Sequence, residues 1–143
     1  MPSVRKSVIV PHSCEAMFDL VDDFERYPEF LPWCRAAEML ERGEHAEVAR
    51  LHIDYRGLRT TIATRNAKDR PRRMALELVE GPFTRFAGEW SFAALGEAGC
   101  RVQLALDYTM GSTLQGLLAP VFGHIAETLV ERFVQRAEAL HAG

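Results

Sequence analysis

Residues 73–95 read RMALELVEGPFTRFAGEWSFAAL, two runs of alternating apolar and polar residues hinged at Gly81-Pro82. In the first run Met74, Leu76 and Leu78 fall on one side, and in the second Trp90 and Phe92 do the same. Alternation with period two, rich in aromatic and branched side chains and broken by turn residues, marks two half-buried strands joined as an antiparallel hairpin. The same grammar extends in both directions. Strands are predicted over Ala36–Arg42, Glu47–Tyr55, Leu58–Asn66, Arg73–Glu80, Phe86–Ala94 and Cys100–Met110, with breaks at Gly43, Arg56-Gly57, Arg70-Pro71, Gly81-Pro82 and residues 96–99. No helical stripe interrupts them.

The flanks change period. Ser3–Val10 alternates as a further strand and Pro11 ends it. Ser13 then suits an N-cap, and Met17, Leu20, Val21 and Phe24 recur at helical spacing. At the other end Ser112 with Gln115 forms a capping-box pattern ahead of Leu114, Leu118, Val121, Ile125, Leu129 and Phe133, the stripe of a long amphipathic helix. Pro120 should kink that helix or mark the start of its main stretch. The predicted class is therefore α+β: one domain over residues 1–143, with a curved seven-stranded antiparallel sheet wrapped around a long carboxy-terminal helix and two short helices after the first strand.

A chain of 143 residues, 48% hydrophobic and 26% charged, has the size of one compact domain and needs no disulfide or metal to fold. Cys14, Cys34 and Cys100 form no motif, and their odd number fits a reducing compartment. No signal peptide and no apolar run long enough to span a bilayer is present, so a cytoplasmic location is expected, at most peripheral to the inner membrane. The net charge of −3 does not itself point to nucleic acid or an anionic surface. Residues 56–73 are different. Arg56, Arg59, Arg65, Lys68, Arg70, Arg72 and Arg73 stand against Asp69 alone, a local charge of +6 that leaves −9 on the remainder. Such a hairpin either touches phosphates, of lipid or RNA, or protects exposed strands from pairing with other chains.

Catalytic signals are sparse. His12, His45, His52, His124 and His141 lie apart, with no nucleophile or metal-ligand spacing; His12 and Cys14 lack a third ligand. No catalytic and no metal residue is assigned. Asp22, Asp23 and Glu25 read as a solvated helix end. The inward faces carry Leu51, Ile53, Tyr55, Ile62, Thr64, Met74, Leu76, Leu78, Trp90, Phe92, Leu104, Leu106, Tyr108 and Met110. Alternation alone leaves open whether they fill the interior or line a hollow.

The segment Tyr27-Pro28-Glu29-Phe30-Leu31-Pro32-Trp33-Cys34, then Glu80-Gly81-Pro82-Phe83 and Gly88-Glu89-Trp90-Ser91-Phe92, with Pro120-Val121-Phe122 in the last helix, resembles the coenzyme Q-binding START-like family. That family takes in RatA-type ribosome-association toxins and the polyketide cyclase/dehydrase superfamily. The resemblance covers essentially the whole chain and implies a helix-grip fold with a hydrophobic tunnel for a lipid or quinone. By position, Tyr27, Pro28, Phe30, Leu31, Pro32 and Trp33 would line or gate its mouth, with Phe83 on the opposing loop. Leu118, Val121, Phe122 and Ile125 would form the helical wall, and Tyr55, Trp90 and Tyr108 would face the ligand. The family's branches imply three roles: a lipid chaperone binding ubiquinone in support of respiration, a toxin that binds the large ribosomal subunit and blocks subunit joining, or a cyclase. For the last, Tyr55 or Tyr108 is the available acid. No cofactor is expected beyond a bound ubiquinone or other lipid.

Overall fold

A computed structural model describes residues 3–111 and 117–141. The chain runs β1 (Ser3–Val10), α1 (Cys14–Asp22), a 3₁₀ helix (Phe24–Glu29), β2 (Cys34–Glu41), β3 (Ala46–Tyr55), β4 (Leu58–Asp69), β5 (Arg73–Glu80), β6 (Phe83–Leu95), β7 (Gly99–Met110) and α2 (Ala119–His141). The seven strands form one antiparallel, curved sheet in the order β1-β7-β6-β5-β4-β3-β2. β2 to β7 are thus a meander, and β1 returns to pair with β7, Val4 opposite Leu106 and Val10 opposite Cys100.

Local chemistry explains the elements and their limits. β3 and β4 meet at a two-residue turn in which Arg56 (φ 48) and Gly57 (φ 88) are both left-handed, the backbone that matches strand twist. Register irregularities at Cys34/Ala36, Met39/Glu41, Ala63/Thr64 and Phe83/Arg85 bend the strands that carry them. β4 runs past the expected Asn66 because Ala67, Lys68 and Asp69 pair with Ala75, Met74 and Arg73. β6 begins at Phe83 rather than Phe86 because Phe83 and Arg85 already pair with Met110 and Thr109. β2 likewise starts at Cys34, opposite Ile53. Gly88 sits between Leu76 and Leu106, and a Cβ there would lie 2.5 Å from Leu106 Cδ2, so glycine lets both leucines lean inward.

Ser13 caps α1 by accepting from the Ala16 N–H at 3.1 Å. Pro28 lies inside the short 3₁₀ helix. Pro120 sits in the first turn of α2, where a missing N–H costs no intrahelical bond, so it marks the helix start. The expected Ser112–Gln115 capping box lies outside the described residues.

The core fills the concave side of the sheet. α2 buries Phe122, Ile125, Ala126, Val130, Phe133 and Ala137, and α1 buries Met17, Phe18 and Val21. Phe133 is 1% exposed and meets Tyr27, Phe30 and Trp90 edge-on, each at 5.3 Å between ring centroids. Such offset pairs add to the burial of large apolar area.

Among the described residues two polar side chains are also buried, Glu47 at 2% and Asn66 at 0% exposure. They are opposite one another on β3 and β4. Lys68 Nζ holds Glu47 Oε2 and Asp22 Oδ2, each at 3.2 Å. The acidic cluster at the end of α1 is therefore not simply a solvated face: Asp22 is drawn inward by Lys68. Burial, then hydrogen bonding and repulsion from Asp22, raises the Glu47 carboxyl from 4.5 to about 7.

Phe133→Ala should cost about 3–5 kcal/mol, because three aromatic contacts are replaced by a void; denaturant unfolding measures it. For Glu47 the folded state binds a proton more tightly than the unfolded one, so its contribution to stability is complete below about 4.5 and is lost as pH rises through about 7. A melting-temperature profile should fall across that interval, and Glu47→Gln should flatten that part of the slope relative to the parent chain.

Candidate functional site

The helix does not seat evenly on the sheet. α2 comes closest to β1, β7 and α1. Over the middle strands an internal cavity of about 90 Å³ remains. Its sheet wall is Leu51 and Ile53 from β3, Ile62 and Thr64 from β4, Leu76 from β5, Phe86 and Trp90 from β6, and Leu104 and Leu106 from β7. Phe122, Ile125, Ala126, Leu129 and Phe133 of α2 form the opposite wall, and Phe24, Tyr27 and Trp33 close one side. The interior is thus neither solidly packed nor a wide tunnel. Ligand pockets usually enclose roughly 300–1,000 Å³, so an occupant larger than a few waters has to spread α2 or the aromatic segment from the sheet.

The cavity wall is almost wholly apolar. The Tyr27 hydroxyl donates to Val21 O, and Thr64 Oγ1 donates to Asn66 Oδ1 at 2.8 Å. Burial, followed by the nearby Asp22, raises the Tyr27 phenol well above its ordinary value, so it stays neutral. The Trp33 indole N–H is buried without an acceptor. Trp33 and Ile125 also belong to a narrow crevice leading outward, whose other members are Pro32, Tyr55, His124, Thr128 and Arg132. Tyr55 stacks on His124 with rings 6.3 Å apart, and Arg56 caps the outer side of Tyr55 at 4.8 Å. The crevice and the cavity share Trp33 and Ile125 as a common wall.

The residues expected at the site divide into three groups. Tyr27, Trp33, Trp90, Phe122 and Ile125 line the cavity, and Pro32 and Tyr55 line the crevice. Leu31, at 1% exposure, is locked in the core, while Pro28 is exposed on the outside of the 3₁₀ helix. Phe30 lies behind Phe133, beneath the Arg136 guanidinium at 5.1 Å. Phe83 and Tyr108 form an aromatic cluster on the far side of Phe122, at 5.1 and 4.8 Å from it, and do not line the cavity. Leu118 and Val121 pack on the core's margin, displaced by Phe122 as the inward residue of that turn. Phe24, Phe86, Ala126, Leu129 and Phe133 line the cavity without having been singled out for it. The stripe at 125, 129 and 133 pointed to two of them.

The basic stretch does not form one patch. Arg56 lies in the β3–β4 turn and Arg59 just after it, whereas Lys68, Arg70 and Arg72 lie at the opposite end of β4, roughly 30 Å of strand away. Carboxylates partner most of it: Arg70 forks onto Asp19 at 2.7 and 2.8 Å, Arg73 meets Glu89 at 2.7 Å, and Arg72 meets Asp69 of the same stretch at 3.1 Å. Arg59 faces Asp54 at 3.5 Å and Arg65 faces Glu41 at 3.9 Å. Among the described residues no cluster of three or more His, Cys, Asp or Glu is placed to hold a metal ion. No helix among them is long and apolar enough to cross a membrane.

Comparison with known proteins agrees with this geometry. The chain is 40% identical, over 96% of both chains, to a Pseudomonas aeruginosa protein named ribosome association toxin RatA. It is 25% identical to the coenzyme Q-binding protein coq10 of Schizosaccharomyces pombe, covering 96% of this chain and 87% of the other. A START superfamily protein from Mycobacterium smegmatis superposes with a TM-score of 0.79 at 25% identity over 96% of this chain and 98% of the other. The Zhui aromatase/cyclase of a Streptomyces species shares the fold, with a TM-score of 0.84 at 21% identity over 99% of this chain and 96% of that one. The family model described as polyketide cyclase / dehydrase and lipid transport matches residues 10–134. A matched stretch of that length, on a fold shared end to end, shows that the chain belongs to this family, in the START-like group that holds RatA and coq10.

Proposed function

We propose that the chain is a binding protein for a long apolar ligand, an isoprenoid quinone or a related lipid, held between α2 and the sheet and carried in support of respiration. The observation that supports this most is the apolar cavity beneath Ala126 and Leu129, roofed by aromatic rings and left where the helix grip is incomplete. The relative named as coenzyme Q-binding supports a quinone as the occupant. The chemistry fits. A prenyl chain gains about 25 cal/mol for each Å² of apolar surface it hides, and a wall with its hydroxyls already engaged takes no penalty for covering them. Binding then consists of dilation: the α2 side chains that wall the cavity move outward while the β1 and β7 contacts hold the helix in place.

A second reading is favoured by the 40% identical relative: association with the large ribosomal subunit, in competition with subunit joining. With its cations split between two ends of β4 and engaged by carboxylates, the 56–73 hairpin supplies little free positive charge for RNA. Shape and the remainder of the surface would carry such a contact. Both readings place the protein at work in the cytoplasm, against the ribosome or the inner face of the membrane. Turnover of a polyketide is the weakest reading, because Tyr108 lies outside the cavity and Tyr55 lies in its outer crevice.

Trp33 and Trp90 both line the cavity, so their fluorescence reports its occupant. Titration with a ubiquinone should quench them, and Ala126→Leu, which fills the space from α2, should weaken binding at least about tenfold while the protein stays folded. Unquenched parent protein, or equal affinity in the variant, would count against a lipid in this cavity. For the second reading, overexpression followed by sucrose-gradient sedimentation should show fewer joined ribosomes and more separate subunits. An unaltered profile would remove it.

A further inference from the structure

Cys14 and Cys100 stand 86 residues apart in sequence, yet their sulfurs meet at 2.7 Å. From this contact we infer that the two cysteines are an oxidisable pair, a site at which a peroxide closes a reversible disulfide that ties the start of α1 to β7.

The fold brings them together by a short route. Val10, the last residue of β1, is opposite Cys100 in the sheet, and Cys14 opens α1 only four residues later. Ser13 fixes the first turn of that helix through its bond to Ala16. Both sulfurs are thus held by regular structure on either side of the contact, and bonding at about 2.05 Å asks them to close by less than an ångström. Cys34 is occupied elsewhere, directed at Ala36 O at 3.5 Å.

Access sets the order of events. Cys14 is 6% exposed and Cys100 fully buried, so a small oxidant meets Cys14 first. Burial, and then the Cys14 contact, push the Cys100 thiol up to about 12, which disfavours it as the first nucleophile. The Cys14 sulfur attacks one oxygen of hydrogen peroxide, the O–O bond breaks, and the departing hydroxide takes the thiol proton as water, leaving a sulfenic acid. The Cys100 sulfur then attacks Cys14, the S–O bond breaks, and the hydroxide released takes the Cys100 proton as a second water. Two thiols are oxidised by two electrons in all, and one peroxide is reduced.

Because the two sulfurs are already in contact, the bond asks for little movement in the folded state. Its main effect falls on the unfolded chain, in which it closes a loop of 86 residues. Oxidised protein should be harder to unfold, with the cavity unaltered.

The test treats the full chain with hydrogen peroxide, alkylates what remains free, and maps the peptides by mass spectrometry beside a thermal melt. The expected result is a Cys14–Cys100 cross-link with Cys34 still alkylated, a melting temperature higher by about 10 °C, and reversal of both by dithiothreitol. Cys34→Ala should retain the cross-link and the shift, and Cys14→Ala should lose both. Sulfinic acid at Cys14 without a cross-link, a link that involves Cys34, or a cross-link without a thermal shift would overturn the inference. The peptide map of the parent protein decides the pairing even where a cysteine variant folds poorly.

Discussion

The three edge-on contacts of Phe133, to Tyr27, Phe30 and Trp90, join the terminal helix, the 3₁₀ segment and the sheet at one ring. Rings at this spacing hold one another in orientation as well as in place. The rest of the concave side is arranged around that point. α2 is seated firmly toward β1 and β7, the aromatic segment is drawn down onto the helix, and the middle strands are left covered but not filled. A helix gripped on one side and spanning a hollow on the other is a hinge by construction.

Much of the fold was legible in the sequence because its strands are short, alternating and separated by turn residues. The β5–β6 hairpin is the clearest case: Met74, Trp90 and Phe92 fall on the buried face that their spacing demanded. Strand ends were less legible because pairing, and not propensity, decides them. Lys68 and Asp69 continue β4 only because β5 offers partners. For the candidate site, periodicity identified most cavity-facing residues of the sheet but not Phe86, and it did not tell Phe122 from its neighbours Leu118 and Val121, since a helix stripe is wider than the wall it presents. Phe83 and Tyr108 are a similar case, since a ring in the second layer has the same sequence signature as one in the first.

What the sequence hid most completely was charge pairing. Seven cations within eighteen residues read as a basic surface, yet Asp19, Asp22, Glu47 and Glu89 approach them from other elements. Exposed pairs of this kind contribute little to stability but cancel the field that a partner would sense at a distance. Lys68 is the exception in depth. It joins two carboxylates, one of them almost wholly enclosed, and so holds the end of α1 against the base of the β3–β4 pair.

The placement of β1 bears on how the chain is made. Its hydrogen-bonding partner is β7, so the earliest of these seven strands to be made is paired with the latest, across about a hundred residues of sequence. Until β7 is synthesised, β1 has an unsatisfied edge and α1 lacks part of the surface it covers, while β2 to β6 can zip up hairpin by hairpin. Nascent protein therefore passes through a stage with an open sheet, its amino-terminal end loose. Enclosure of the interior waits for β7 and α2.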